Sequence, residues 1–286
     1  MSRISPLSDL AVKKVLASEE NKDILAGLIE DFFDVKAEGI VIEKPYSIAI
    51  CKEFADSGEL TKLRETLKDI AASFNIADFV SEIQIRKTNF FDERFLYYPL
   101  ERYCRNYSKA EAMKLDAGGK PIRFSSLRPV YALNILGFSH FNDDEALRIL
   151  ELCDQKRNKR LEKELLRIGF FELTKDTVET ANQGHWRNYF LTGEAHPDAP
   201  DYIHKASQNI RYVNLSEEER DMISTMERLE ANDQVEREYM RDAARAEGEQ
   251  SKAMKIVKAM LGDGEPPEKI ARYTDLSLEF IKTLIQ

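Results

Sequence analysis

Residues 75–86, NIADFVSEIQIR, alternate in character with a period of two, the spacing of a β-strand. One face carries Phe79, Ser81, Ile83 and Ile85, and the other Asp78, Val80, Glu82 and Gln84. A strand whose apolar side chains fall on one side buries them against a second layer, so this segment constrains what its neighbours must build. It also aims Glu82 and Gln84 in one direction, because side chains two apart share a face.

The neighbouring segments alternate helix and strand. In residues 9–33, Leu10, Val15, Leu25, Leu28, Ile29 and Phe32 recur at helical steps, and Ser18 before Glu19 and Glu20 is an N-cap signal that would divide the stretch into two helices. Residues 39–51 are β-branched and interrupted by Pro45, which predicts an edge strand or two short ones. Leu63, Leu67, Ile70, Ala71 and Phe74 recur at steps of three and four, which predicts a helix over residues 61–74. Residues 90–107 form an aromatic and basic helix with Pro99 inside it. RPVYALNILGF, residues 128–138, is a continuous apolar run of the kind found in buried central strands, and LRIGFFEL, residues 166–173, predicts another strand. The order is that of an α/β core.

Past Leu173 the pattern is helical. Ser216 and Glu219 have capping-box spacing and open a long charged helix that reads equally as a solvated arm or a coiled coil. Pro266 and Pro267 start a helix, and Ser277 caps another, in a helix-turn-helix outline that suits either a DNA reader or a docking bundle. These changes divide the chain into a core over residues 1–175, a helical extension over 176–250 and a small terminal segment over 251–286.

Charge and composition limit the function classes. The 286 residues carry a net charge of −9, much of it in the last third, which excludes a surface that grips nucleic acid over its whole area and leaves room for local contact. No apolar run approaches the roughly 20 residues of a membrane-spanning helix, and MSRISPLSDL lacks the apolar stretch of a signal peptide, so a cytoplasmic protein is expected. Cys51, Cys104 and Cys153 are odd in number and far apart, which predicts free thiols, and His140, His185, His196 and His204 show no metal-ligand spacing.

Several segments together resemble the Rpn-type recombination-promoting nucleases of bacterial mobile elements, also described as PD-(D/E)XK family transposases. ISPLSDLAVKKVLASEENKDIL is similar to the family's opening pattern, with Val12 where the family usually has Phe before Lys13. LKDIAASFNIADFVSEIQIRKTNFFDERFLYY resembles its Asp strand, its Glu-x-Gln strand and the aromatic helix that follows. LRPVYALNILGF, LRIGFFELTK, HWRNYFLTG and GEPPEKIARYTDLSLEFIKTLI continue in the family's order. The resemblance implies a restriction-endonuclease-like α/β core with a helical C-terminal extension. It also implies Asp69, Glu82 and Gln84 as catalytic residues, with Asp69 and Glu82 as ligands of Mg²⁺ or Mn²⁺.

Phosphodiester hydrolysis requires an activated water and positive charge at the pentavalent phosphorus, and a divalent ion held by two carboxylates provides both. Gln84 stands where such sites usually carry Lys; it bears no charge and can only orient water. Arg86, Lys87 and Arg94 are the nearby cations suited to substrate phosphates. The expected partner is DNA, with no nucleotide cofactor and no membrane contact; many DNA-cutting enzymes act as dimers, and the sequence leaves a homodimer open as one assembly. A metal-dependent DNA endonuclease tied to recombination or mobile elements is the first reading, and a nuclease-fold scaffold without activity, or a protein-interaction module, is the alternative. Asp9 or Glu20 could add a carboxylate from the first helix. Tyr97 and Tyr98 could face DNA or the core, Glu172 reads as a structural salt bridge or a catalytic group, and Trp186 reads as a packing anchor.

Overall fold

In a computed structural model the alternating segment is a strand, β3 (Asp78–Gln84), and the continuous apolar run is its parallel neighbour, β4 (Val130–Leu136). Residues 3–58, 62, 70–105, 107, 113–274 and 276–284 are described. With β1 (Val41–Glu43), β2 (Ile70–Ser73), β5 (Leu147–Glu151) and β8 (Leu166–Glu172) they form a six-stranded mixed sheet in the order β1-β2-β3-β4-β8-β5. The central pairs β3/β4 and β4/β8 are parallel, and the outer pairs are antiparallel. Every residue of β4 is buried, as a strand covered on both faces requires. A small hairpin, β6 (Cys153–Asp154) with β7 (Lys159–Arg160), projects between β5 and β8 in sequence.

Helices cover both faces. On one side lie α1 (Asp9–Leu16) and α2 (Lys22–Phe33), whose Val12, Val15, Leu28 and Phe33 pack with Phe79, Tyr131 and Leu133. The break between them falls where Ser18 predicts it, as a short 3₁₀ turn over Glu19–Asn21. On the other side, α4 (Phe91–Arg105) runs through Pro99 and packs Phe91 and Phe95 against Ala132, Leu136 and Phe170. Helices α5 (Ala181–Thr192) and α6 (Asp201–Asn209) join the first core. Trp186 there is fully buried, and it hydrogen-bonds to Asp31 and stacks on Phe190.

Two expectations fail. The three- and four-residue spacing over residues 61–74 predicts a helix, but residues 70–73 are β2, hydrogen-bonded to β1 on one side and β3 on the other. Most of the remaining stretch, including Asp69, lies outside the described residues. The second half of residues 39–51 is not a strand: Ser47 caps α3 (Ile48–Asp56) by accepting from the Ile50 amide, and only the edge strand β1 remains. Strand β5 has no counterpart among the predicted elements.

The chain divides into two compact units, Met1–Ile223 and Ser224–Gln286. The long helix α7 (Glu217–Gly262) begins in the first unit with the predicted capping box: the Ser216 hydroxyl accepts from the Glu219 amide at 3.2 Å, and the Glu219 carboxylate accepts from the Ser216 amide at 2.9 Å. In the second unit, α8 (Pro267–Thr274) and α9 (Leu278–Thr283) bury Ile270 and Ile281 against Val257 of α7.

Candidate active site

The parallel junction of β3 and β4 places Glu82 opposite Asn134 and Gln84 opposite Leu136. The β3 face that holds Asp78, Val80, Glu82 and Gln84 turns toward α4, while Phe79 faces α2. The two predicted site residues of β3 therefore share a face. Immediately after β4, the Gly137 amide donates to the Gln84 carbonyl at 2.8 Å. A Cβ at Gly137 would stand 2.9 Å from the Ile85 carbonyl oxygen, so the strands close here only around a glycine.

Helix α4 supplies the charges that face β3. Arg94 donates to Glu82 in a charge-assisted hydrogen bond and lies over the Tyr98 ring, 5.8 Å from its centroid. Two turns on, Arg102 donates to Asp78 at 3.0 Å and pairs with Glu43 of β1 at 2.5 Å, and Arg128 donates to the other Asp78 oxygen at 3.1 Å. Asp78 is only 1% exposed, so this network is what allows a carboxylate at that depth.

A cleft of about 300 Å³ opens beside Glu82. Its walls come from both faces of the sheet: Ile70, Ala71, Ser81 and Asn134 from the strands, Phe95, Tyr98 and Arg105 from α4, and Lys13 from α1. Lys44 and Arg102 add positive charge, while Glu43 and Glu101 join Glu82 as carboxylates. Lys13 is 2% exposed. Its charge reaches Cys51, whose thiol is pushed up to about 11 by burial against the opposing pull of the Lys13 ammonium.

The residues named from sequence are distributed as follows. Glu82 lines the cleft. Gln84 lies on the same strand face, beyond the cleft lining, and its buried Oε1 has no hydrogen-bond partner among the described residues. Asp69, the expected second carboxylate, lies outside the described residues. Arg94 is engaged by Glu82, Lys87 Nζ stands 3.4 Å from His140 Nδ1, and Arg86 is exposed. Asp9 and Glu20 stand apart from the cleft lining. Glu172 is a structural group: it accepts from the His140 and Phe141 amides and pairs with Lys175.

Among the described residues no three His, Cys, Asp or Glu side chains gather as a metal site. The donor set present still suits a hard cation in chemistry, since Glu82 and the unpartnered Gln84 Oε1 are both oxygen ligands on one face.

Sequence reasoning singled out neither Lys13 nor Asn134 as a site residue. Lys13 stands beside Lys14 in the same helix, and no local signal in the sequence separates the two. Asn134 is a polar interruption in an otherwise apolar central strand.

The family model described as PD-(D/E)XK nuclease family transposase matches residues 6–239. No curated protein and no solved structure matches the chain.

Proposed function

This chain belongs to the PD-(D/E)XK nuclease family transposases, and from that premise we propose that it is a divalent-metal-dependent DNA endonuclease acting at the Glu82 cleft. The observation that carries the reading is the placement of Glu82 on a central parallel strand. It is buried, aimed at an aromatic and basic helix, and opens on a cleft that holds Lys13, Lys44 and Arg105. The cleft sets Lys13, Lys44, Arg102 and Arg105 among Glu43, Glu82 and Glu101, so in a chain of net charge −9 any phosphodiester is contacted at one place.

In this reading Asp69 and Glu82 hold Mg²⁺ or Mn²⁺, which when bound supplies positive charge to offset the pentavalent phosphorus. Gln84 orients the attacking water through its carboxamide. Arg94 keeps the Glu82 carboxylate in a fixed rotamer and offers the rest of its guanidinium to a substrate phosphate, with Arg86 and Lys87 on the exposed turn after β3 as further phosphate contacts. Recombination or transposon mobility is the process such cutting would serve, in the cytoplasm and as a homodimer.

A second reading, a nuclease-fold scaffold without activity, is favoured by one observation: Glu82 already has a guanidinium partner and Gln84 contributes no charge. Supercoiled-plasmid cleavage with Mg²⁺ or Mn²⁺ separates the two. The nuclease reading expects the wild type to cut and folded Asp69→Ala and Glu82→Ala proteins to fall by at least about a hundredfold. An inert wild type, or variants that cut as well as it does, hands the cleft to the scaffold reading.

A further inference from the structure

Residues 153–163, CDQKRNKRLEK, set five cations against Asp154 and Glu162 in a chain whose net charge is −9. Four of the five, Lys156, Arg157, Lys159 and Arg160, fall within five consecutive residues at the tip of the β6/β7 hairpin. Residues 155–164 are all exposed. Leu152 and Leu161 close the base of the ladder, the Leu161 amide donating to the Leu152 carbonyl at 3.2 Å, yet they are 48% and 51% exposed. The ribbon therefore adds nothing to the core, and two strands of this length are marginal by themselves.

Its turn is nonetheless held in one shape. Asp154 Oδ1 accepts from the Lys156 and Arg157 amides at 3.0 and 3.2 Å, Oδ2 accepts from the Arg157 guanidinium at 2.7 Å, and Asn158 takes the left-handed position at φ 48°. Arg160 pairs with Glu151 at 2.7 Å, and Glu151 is also held by Arg167 of β8 at 2.9 Å, which ties the ribbon to the sheet. Lys156 and Lys159 have no ion pair among the described residues. A fixed turn thus presents like charges side by side to solvent, an arrangement that favours an anionic partner.

The sheet register fixes where this turn stands relative to the cleft. Glu82 lies in one row with Asn134 of β4, Phe170 of β8 and Arg148 of β5. Three strand spacings of about 4.8 Å, and four residues of about 3.3 Å from Arg148 to Leu152, put the base of the hairpin roughly 20 Å from Glu82. One turn of duplex DNA covers about 34 Å, so a single duplex is long enough to reach both.

We propose that the β6/β7 hairpin is a second DNA-contact surface, with Lys156, Arg157, Lys159 and Arg160 holding backbone phosphates of the duplex roughly 20 Å from the bond cut at the Glu82 cleft. The inference takes only the identity of the partner from the nuclease reading above. Contacts to phosphate fix the position of the duplex and carry no sequence information, so the hairpin positions substrate without selecting a sequence and without touching the reacting atoms. The substrate class is accordingly duplex DNA that extends beyond the cleft.

The test compares wild type with Lys156→Gln/Lys159→Gln and Lys156→Arg/Lys159→Arg, substitutions that break no ion pair of the turn. Anisotropy of a fluorescein-labelled duplex of about 30 base pairs, in EDTA from about 50 to 200 mM salt, reads affinity and its salt slope. The Gln pair is expected to bind at least about tenfold more weakly at about 100 mM salt, with a slope smaller by about two, and the Arg pair to bind within about threefold of wild type. In plasmid cleavage with Mg²⁺ or Mn²⁺ the loss is expected in KM, with kcat within about threefold of wild type.

Binding by the Gln pair within about twofold of wild type across the salt series overturns the inference, as does a wild type that does not bind duplex. A Gln pair that keeps DNA affinity but loses self-association in sedimentation also overturns it, and gives the hairpin to an acidic surface of a second copy. A wild type that binds duplex through these lysines but cuts under no condition leaves this inference standing and overturns the nuclease reading.

Discussion

Asp31 of α2 joins three elements through its carboxylate. Its carboxylate accepts from Trp186 Nε1 at 2.8 Å, Tyr202 Oη at 2.7 Å and Asn182 Nδ2 at 2.7 Å, and so ties α5 and α6 to α2. Asp31→Ala removes the acceptor from all three. Trp186 is 0% exposed, so its indole N–H is stranded in the core at a cost of about 1–3 kcal/mol. Tyr202 and Asn182 are half-buried and can turn to water, which limits their loss to roughly 0.5 kcal/mol each. The sum is about 3 kcal/mol, or roughly 6–12 °C in melting temperature for a unit of this size. Far-UV circular dichroism in urea measures it without relying on the single tryptophan as the probe. Trp186→Phe and the double variant complete a cycle in which a coupling of at least about 1 kcal/mol is expected between the two positions. A cost under about 1 kcal/mol for Asp31→Ala, or strict additivity in the cycle, refutes the assignment of the carboxylate as the tie.

Glu219 accepts from Lys14 at 2.6 Å, Tyr46 Oη at 2.9 Å and the Ser216 amide. Burial pushes its carboxyl up, but the Lys14, Ser216 and Tyr46 hydrogen bonds and the Lys14 charge outweigh it and hold the group below the usual range. A depressed folded value means the stabilisation is complete above the unfolded value near 4.5 and fades as pH falls through the folded one. Glu219→Gln should therefore cost about 2 kcal/mol at pH 7, and denaturant titrations should show the gap to wild type narrowing below about pH 4. Gly27→Ala puts a Cβ 2.6 Å from the Tyr202 ring, and although alanine is the better helix former by about 1 kcal/mol, melting should show a net loss of roughly 1–3 kcal/mol. Arg102→Met takes away a guanidinium that contacts both Asp78 and Glu43; unfolding experiments should read a loss of roughly 3 kcal/mol, more than an exposed pair such as Arg245 with Glu249 could give.

The sequence alone decided the elements whose burial pattern is local. The period of two in residues 78–84 made β3 legible and put Glu82 and Gln84 on one face, the unbroken apolar run identified β4 as central, and Ser216 with Glu219 marked where the long helix starts. The expectation of Asp69 as partner to Glu82 came from resemblance, and that residue lies outside the described ones. Tertiary structure decided the rest. Ile70, Ala71 and Phe74 fit a helical period, yet residues 70–73 became a strand because β1 and β3 each offered a row of unpaired backbone groups that a helix would have left unsatisfied. Lysine 13 and lysine 14 are chemically identical in the sequence, and only the packing of α1 against the sheet sends one to Glu219 and the other to the cleft. Periodicity reports which side of a segment is apolar. What that side meets, and whether a charge on it finds a partner, depends on long-range pairing that no local window contains.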